Sequence, residues 1–191
     1  MAGKFKNLSY IARGNSNLGG IARMVAFAES DFEGGTGWPK RADLGETGEV
    51  TVAPPLKDAV IGAELSFDHG SCRVKSSKKG ALGYQNHDHE VEAKFAGVSP
   101  AQMPAVEAFF NEGGVIVAYY KNGNRRVFGA SWNPLVIEES DDSGAKGGDP
   151  NAISFKGKAT DLDFHAPFLA SSVTLPTDAM AVKAMPFTVG A

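Results

Sequence analysis

The chain has 191 residues, a single cysteine (Cys72) and a formal net charge of -3, from 19 Lys+Arg against 22 Asp+Glu. A chain of this length reads as one domain able to bury roughly 70% of its unfolded surface, and one cysteine supports neither an intrachain disulfide nor a cysteine-built metal site. The charge balance excludes a general electrostatic pull toward nucleic acid or an anionic membrane, and no apolar run approaches the ~20 residues that span a bilayer.

The opening MAGKFKNLSYIARGNSNLGG has no uninterrupted apolar stretch and reads as neither exported nor membrane-inserted. Asn7-Leu8-Ser9 is then a chance match to the glycosylation pattern. Residues 1–45 are glycine-rich, with a turn cluster at Gly34-Gly35-Thr36-Gly37-Trp38-Pro39. They read as an N-terminal arm and loop that includes a short apolar segment, 21–28. No phosphate-binding loop is spelled there.

From Glu46 the texture changes to short β-type runs, and 46–167 reads as the core. Glu49-Val50-Thr51-Val52 alternates until Pro54-Pro55, and 60–68 alternates again on Val60, Leu65 and Phe67. Residues 69–88 read as a polar loop, long for a compact domain and therefore expected to be functional or poorly ordered. Arg73, Lys75, Lys78 and Lys79, interleaved with serines, read as a solvated part of that loop.

Strict period two returns over 87–95. It puts His89, Val91, Ala93 and Phe95 on one face and Asp88, Glu90, Glu92 and Lys94 on the other, so one face packs and the other is wet and mostly acidic. A helix is expected over about 99–111. Ser99 serves as N-cap, Pro100 sits at the first position, Gln102 closes a capping box and Val98 staples against Met103. Met103, Val106 and Phe110 form its stripe and Gly113-Gly114 stops it, although Pro104 allows a later start.

Asn122-Gly123 between two apolar runs predicts a β-hairpin with a two-residue type I′ turn. In that register Tyr120 faces Arg125, Val117 faces Phe128 and Ile116 faces Gly129. Both faces of the ribbon are apolar, so a second cover is expected, either the helix or a neighbouring subunit. Leu135-Val136-Ile137 reads as a strand, 138–150 as a mobile acidic loop and 153–163 as the last clear strand. The weakly charged stretch 168–191 reads as a C-terminal arm lying on something.

The order of these features is an acidic-faced strand, a short helix, a Gly-Gly-Val strand, and an Asn-Gly hairpin carrying Arg126-Val127-Phe128-Gly129. Asn133-Pro134-Leu135, an acidic loop with Asp142-Ser143-Gly144, and Ile153-Ser154-Phe155-Lys156-Gly157-Lys158 complete it. Over roughly residues 46–165 it resembles the major tail protein, or tail tube protein, of tailed bacteriophages. The resemblance implies a mainly β fold: a β-sandwich or small barrel with one flanking helix and extended N- and C-terminal arms. It further implies hexameric rings of this chain stacked into a tube, with other tail proteins such as a tape measure, terminator or sheath as partners. Such a subunit is made in the bacterial host cytoplasm and resides in the virion tail.

DNA in such a tube passes along an acidic lumen without specific binding, kept off the wall by like-charge repulsion that acts over roughly 8 Å at physiological salt. Glu49, Glu64, Asp88, Glu90 and Glu92 are the candidates for that lumen, with plain solvent exposure as the other reading. Val117, Tyr119, Phe128, Trp132 and Phe187 are the candidate subunit interface. Ring-to-ring contacts are expected from 69–88 and the two arms.

Chemistry is weakly signalled, and no enzyme, cofactor or metal is expected. His87 and His89 have metal-ligand spacing but no third ligand nearby in sequence, and Asp161, Asp163 and His165 share a predicted face that fits a carboxylate-rich metal site or an acid/base group, with solvent-facing alternation as the other reading. The stretch 138–149 lacks calcium-loop spacing. Cys72 with His69 lies too close in sequence for nucleophile and base, and Trp38 and Trp132 suit core or interface as well as stacking. The alternatives are another virion structural protein (tail terminator, decoration or head-completion), an injection-system tube subunit, and a small β-sandwich ligand-binding module or metal-dependent enzyme.

Overall fold

The structure is a computed structural model that describes residues 19–65, 67, 70–96, 103–144, 146 and 151–177. In chain order the elements are β1 (Ile21–Ala28), β2 (Glu49–Val50), β3 (Ala63–Leu65), β4 (Arg73–Lys79) and β5 (Asn86–Ala96). They continue with α1 (Met103–Glu112), β6 (Gly114–Tyr120), β7 (Arg125–Phe128), β8 (Val136–Asp142), β9 (Ala152–Leu162) and β10 (Phe168–Leu169). One sheet runs β2-β10-β7-β6-β1-β3 and the other β4-β5-β9-β8. The protein is a mainly β two-sheet sandwich with one helix.

Between the sheets, Met24, Ala26, Ile116, Ala118 and Phe128 meet Val91, Ala93, Phe155, Ala159 and Leu162 in one buried cluster. The alternation read over 87–95 holds, with Val91 and Ala93 buried and Glu90 and Glu92 on the outer face. The central strands β1 and β6 are apolar on both faces because both are covered. Their second face (Val25, Phe27, Val115, Val117) and Val127 pack under Phe32, Trp38, Val50, Leu169, Val173 and Leu175.

That second cluster corrects three expectations. The cover over the hairpin is neither the helix nor a second subunit; it is the chain's own 29–56 and 168–177 stretches. The apolar segment 21–28 is not part of an arm. It is a strand paired with both β6 and β3, so the core does not begin at residue 46. Nor does it end at 167, since Phe168 and Leu169 pair with Glu49 and Val50, and Thr177 bridges Gly62. Phe187 and the rest of the C-terminal stretch lie outside the described residues, as do residues 1–18.

Three local readings also change. The expected loop 69–88 is largely the β4–β5 hairpin, whose pairing runs from Arg73↔Glu92 to Lys79↔Asn86. The hairpin at Asn122-Gly123 is real, but its register is Val117↔Val127 and Ile116↔Phe128. Gly123 has φ 86° while Asn122 is not left-handed, and Tyr120 N–H donates to Asn124 C=O at 2.8 Å. This is a three-residue connection closed by a glycine bulge, and the one-residue slip puts Phe128 on the face of Ile116 instead of Val117. The expected mobile loop at 138–150 begins as strand, because β8 extends to Asp142 against β9.

The helix starts at Met103 with Pro104 in its first turn, where a missing N–H costs nothing. The capping residues read from Val98 to Gln102 lie outside the described residues. Gly113, at φ 72°, ends the helix through its N–H to Phe109 C=O at 3.0 Å. Phe110 stacks toward Phe155 at 5.7 Å between ring centres, which docks the helix on the four-stranded sheet.

Candidate functional site

The five carboxylates read as a lumen surface do not share a face. Glu49 and Glu64 sit on β2 and β3, the opposite edges of the six-stranded sheet, and Glu64 lies 3.6 Å from Arg23. Asp88 is buried, 2% exposed, and ion-paired with Lys79. That hydrogen bond, against the opposing cost of burial, holds the Asp88 carboxyl below its usual range and lifts the Lys79 ammonium above its own. Asp88 is therefore removed from the lumen candidates.

Glu90 and Glu92 do lie on the outer face of the four-stranded sheet, but that face is not acidic. Glu90 is flanked by Lys75 and Lys158, and Glu92 by Arg73 and Lys156. The ion pairs that Glu90 and Glu92 make are Lys75–Glu90 at 3.7 Å and Lys156–Glu92 at 3.3 Å. Period two placed these side chains on the correct face; the charge of the strands on either side was set by pairing across the sheet, which no local pattern reveals.

The candidate interface is corrected likewise. Val117 and Phe128 are fully buried inside their own chain, on opposite faces of the six-stranded sheet. Tyr119 is half-buried under the Arg23 guanidinium, 4.3 Å from its ring centre. Trp132 is 46% exposed, its indole N–H held by Pro39 C=O at 3.0 Å. Among the described residues the most exposed large apolar side chains are on the tip of the β4–β5 hairpin, Leu82 at 92% and Tyr84 at 86%. The tip turn is fixed by Gly80 (φ 93°), where a Cβ would overlap the Tyr84 carbonyl.

The two borders of the four-stranded sheet are chemically opposite. β4 reads RVKSSKK and β8 reads VIEESDD, each seven residues long. Neither strand has a partner on its outer side among the described residues. One border is wholly basic and the other wholly acidic, and their charged side chains are mostly exposed.

The paired histidines do not form a metal site. His89 accepts a hydrogen bond from Gly129 N–H on Nδ1 at 3.2 Å, so its Nε2–H donates to Phe164 C=O at 3.2 Å. Both ring nitrogens are spent, and burial pushes the imidazole pKa down to about 4. Asp161 sits at φ 62° in a bulge at the end of β9, out of line with Asp163 and His165. Among the described residues no group of His, Cys, Asp and Glu is arranged to hold a metal. Burial lifts the thiol of the partly buried Cys72 to about 12, and it donates to Met24 Sδ at 3.5 Å at the border of the core. His69 lies outside the described residues. Trp38 is buried, with its indole N–H on Val52 C=O at 2.9 Å.

An open cavity of about 610 Å³ lies where the turn at 44–48 faces β7 and the segment joining β9 to β10. Its lining includes Arg41, Glu46, His87, Arg126, His165 and Phe168. Arg126 is held by Ala166 C=O at 3.0 Å from Nε and 2.5 Å from Nη2, and its Nη2 also donates to His165 Nδ1 at 2.6 Å. Its guanidinium carbon stands 5.1 Å from the centre of the Phe168 ring. Arg41 Nη1 donates to Asp163 C=O at 2.8 Å. The His87 and His165 rings meet edge to face at 5.7 Å. Burial lowers both imidazoles, helped by His165 and Arg41 beside His87 and by Arg126 beside His165. The sequence offered His87 as a metal ligand and His165 as a metal ligand or acid/base group and gave no role to Arg41, because nothing local signals that 41, 87, 126 and 165 converge.

No family model, no curated protein and no solved structure matches the chain. No helix among the described residues is long and apolar enough to cross a membrane.

Proposed function

We propose that this chain is a self-assembling structural subunit of the bacteriophage tail-tube type, whose copies join through the borders of the four-stranded sheet into rings that stack and conduct DNA. The observation that carries the reading is the opposite charge of β4 and β8. Exposed strand borders template pairing with another chain. Two basic borders, or two acidic ones, repel each other, whereas the acidic β8 of one copy and the basic β4 of the next attract. Strands alternate in direction across β4-β5-β9-β8, so a β4 placed beside β8 continues the antiparallel sheet into the next copy.

The outer face of that sheet then forms a continuous wall. Its charges alternate in sign, with Glu90 and Glu92 set among Arg73, Lys75, Lys156 and Lys158. Across the strands the acidic column of β5 separates the basic columns of β4 and β9, which limits gripping of DNA that runs across them. Leu82 and Tyr84, on a hairpin tip that its own domain leaves bare, are suited to contact between stacked rings.

Native mass spectrometry and negative-stain microscopy of the full chain test the reading, with rings or tubes of uniform stoichiometry expected. Replacing Glu138, Asp141 and Asp142 by Lys is expected to abolish assembly while the monomer stays folded. Adding Arg73→Glu, Lys75→Glu and Lys78→Glu in the same chain, with Lys79 kept as the partner of buried Asp88, is expected to restore it. A stable monomer of the unaltered chain at all concentrations would sink the proposal. That outcome would favour the ligand-binding alternative, to which the Arg41–Arg126 cavity lends the one specific observation.

A further inference from the structure

We propose that the cavity between the 44–48 turn, β7 and the segment joining β9 to β10 is a binding site for a small oxyanion of the phosphate class. The proposal is independent of assembly, since every residue of the cavity belongs to one chain. Two guanidinium groups, Arg41 and Arg126, line it. Among the described residues the ion pairs are Arg23–Glu64, Lys75–Glu90, Lys79–Asp88 and Lys156–Glu92, so neither arginine has a carboxylate partner. Glu46 also lines the cavity, and it forms no ion pair with either guanidinium.

The arginines are held but not used up. Backbone carbonyls and His165 fix Nε and Nη2 of Arg126, leaving Nη1 with its donors unspent. A single carbonyl fixes Nη1 of Arg41, leaving Nη2 and Nε. This arrangement orients two planar forks without neutralising them, as bidentate recognition of a tetrahedral oxyanion requires. A purely structural arginine is more economically paired with a carboxylate.

A third group stands beside the arginines. His87 lines the same cavity. Its Nδ1 is closed off from solvent, so Nε2 is the ring nitrogen able to meet a ligand, and a ring carrying its proton on Nε2 would donate to an oxyanion. The oxyanion would also supply the counter-charge for both guanidiniums. His165, whose Nδ1 accepts from Arg126, carries its proton on Nε2. It serves as a positioning residue that locks the Arg126 fork.

Titration calorimetry of the full chain with inorganic phosphate and with sulfate, read in parallel by NMR of the histidine rings, tests the site. Saturable binding of both anions with a shift of the His87 and His165 signals is expected. Arg41→Gln and His87→Gln should each weaken it by roughly tenfold or more, the loss of one charge-assisted hydrogen bond. Lys121→Gln, away from the cavity, should leave it unchanged. Three outcomes would each overturn the proposal. The first is no saturable signal up to about 20 mM anion, a range that fills even a weak millimolar site. The second is affinity unchanged in both cavity variants. The third is tighter binding of acetate or of a short DNA duplex than of phosphate.

Discussion

His89 shows how a polar residue becomes part of an apolar core. Its ring sits 5.9 Å from Phe128 and 6.0 Å from Phe164, and both nitrogens are occupied by backbone groups of Gly129 and Phe164. The neutral imidazole is the only form that satisfies both bonds, because Nδ1 has to accept. Sequence parity placed His89 inward, but it could not say whether a metal or two backbone groups awaited it; the partners lie 40 and 75 residues away. The folded pKa of about 4 stands below the ordinary 6.5, so the unfolded chain takes up the proton first and acid favours unfolding. The stability His89 contributes is fully present above about pH 6.5 and is lost as pH falls toward about 4, a loss on the order of 3 kcal/mol. Urea unfolding across this window should show the decline, and His89→Gln should flatten it. A stability that stays level from pH 7 to pH 4 would contradict the buried neutral form. Below that window Asp88, whose folded pKa is also depressed, adds a further loss of the same sign as it protonates.

At the scale of elements, the outer face of the four-stranded sheet is organised in columns of alternating sign: basic on β4, acidic on β5, basic on β9. Each strand's own face was legible from period two, since a pleated strand admits no other arrangement. The column order was not, because it depends on β5 pairing with a strand more than sixty residues later. The hairpin register failed for a smaller reason: a single non-left-handed φ at Asn122 turned a two-residue turn into three. The columns make a measurable difference. Glu90→Lys inserts a cation between Lys75 and Lys158 and should destabilise the folded chain by about 1 kcal/mol at low salt, a deficit that shrinks as salt is added. Glu90→Gln should cost less. If Glu90→Lys proves neutral at low salt, the column arrangement contributes nothing to stability.

For the whole molecule, the architecture was legible where the pattern was strong and local. The mainly β character, the single helix, the hairpin and the final long strand follow from periodicity and turn chemistry, whereas a sandwich or small barrel was only what the family resemblance implied. What escaped was the long-range closure: β1 entering the middle of a sheet, and 168–177 returning to cover its outer side. Glycine-rich flanks hid the first, and the second shows only as isolated apolar residues, Leu169, Val173 and Leu175, without a period. The expected interface at Val117 and Phe128 failed for the same reason, since an apolar face was assigned to a second copy that the chain itself covers. Truncation separates these roles. Ending the chain after Thr177 keeps the contacts of Leu175 and the Gly62 N–H to Pro176 C=O bond at 2.7 Å, and should leave the melting temperature within about 2 °C of the full chain. Ending it after Ala170 removes Val173 and Leu175 from their cluster and should cost about 3 kcal/mol or more. Equal melting of the two truncations would mean that the second cover is dispensable.

The unlike borders of the four-stranded sheet give any open row of copies a direction. One terminus always presents bare lysines and the other bare carboxylates, so the two ends remain distinguishable however many copies are added. An acidic capping molecule would arrest one end and leave the other growing, and a basic one would do the reverse.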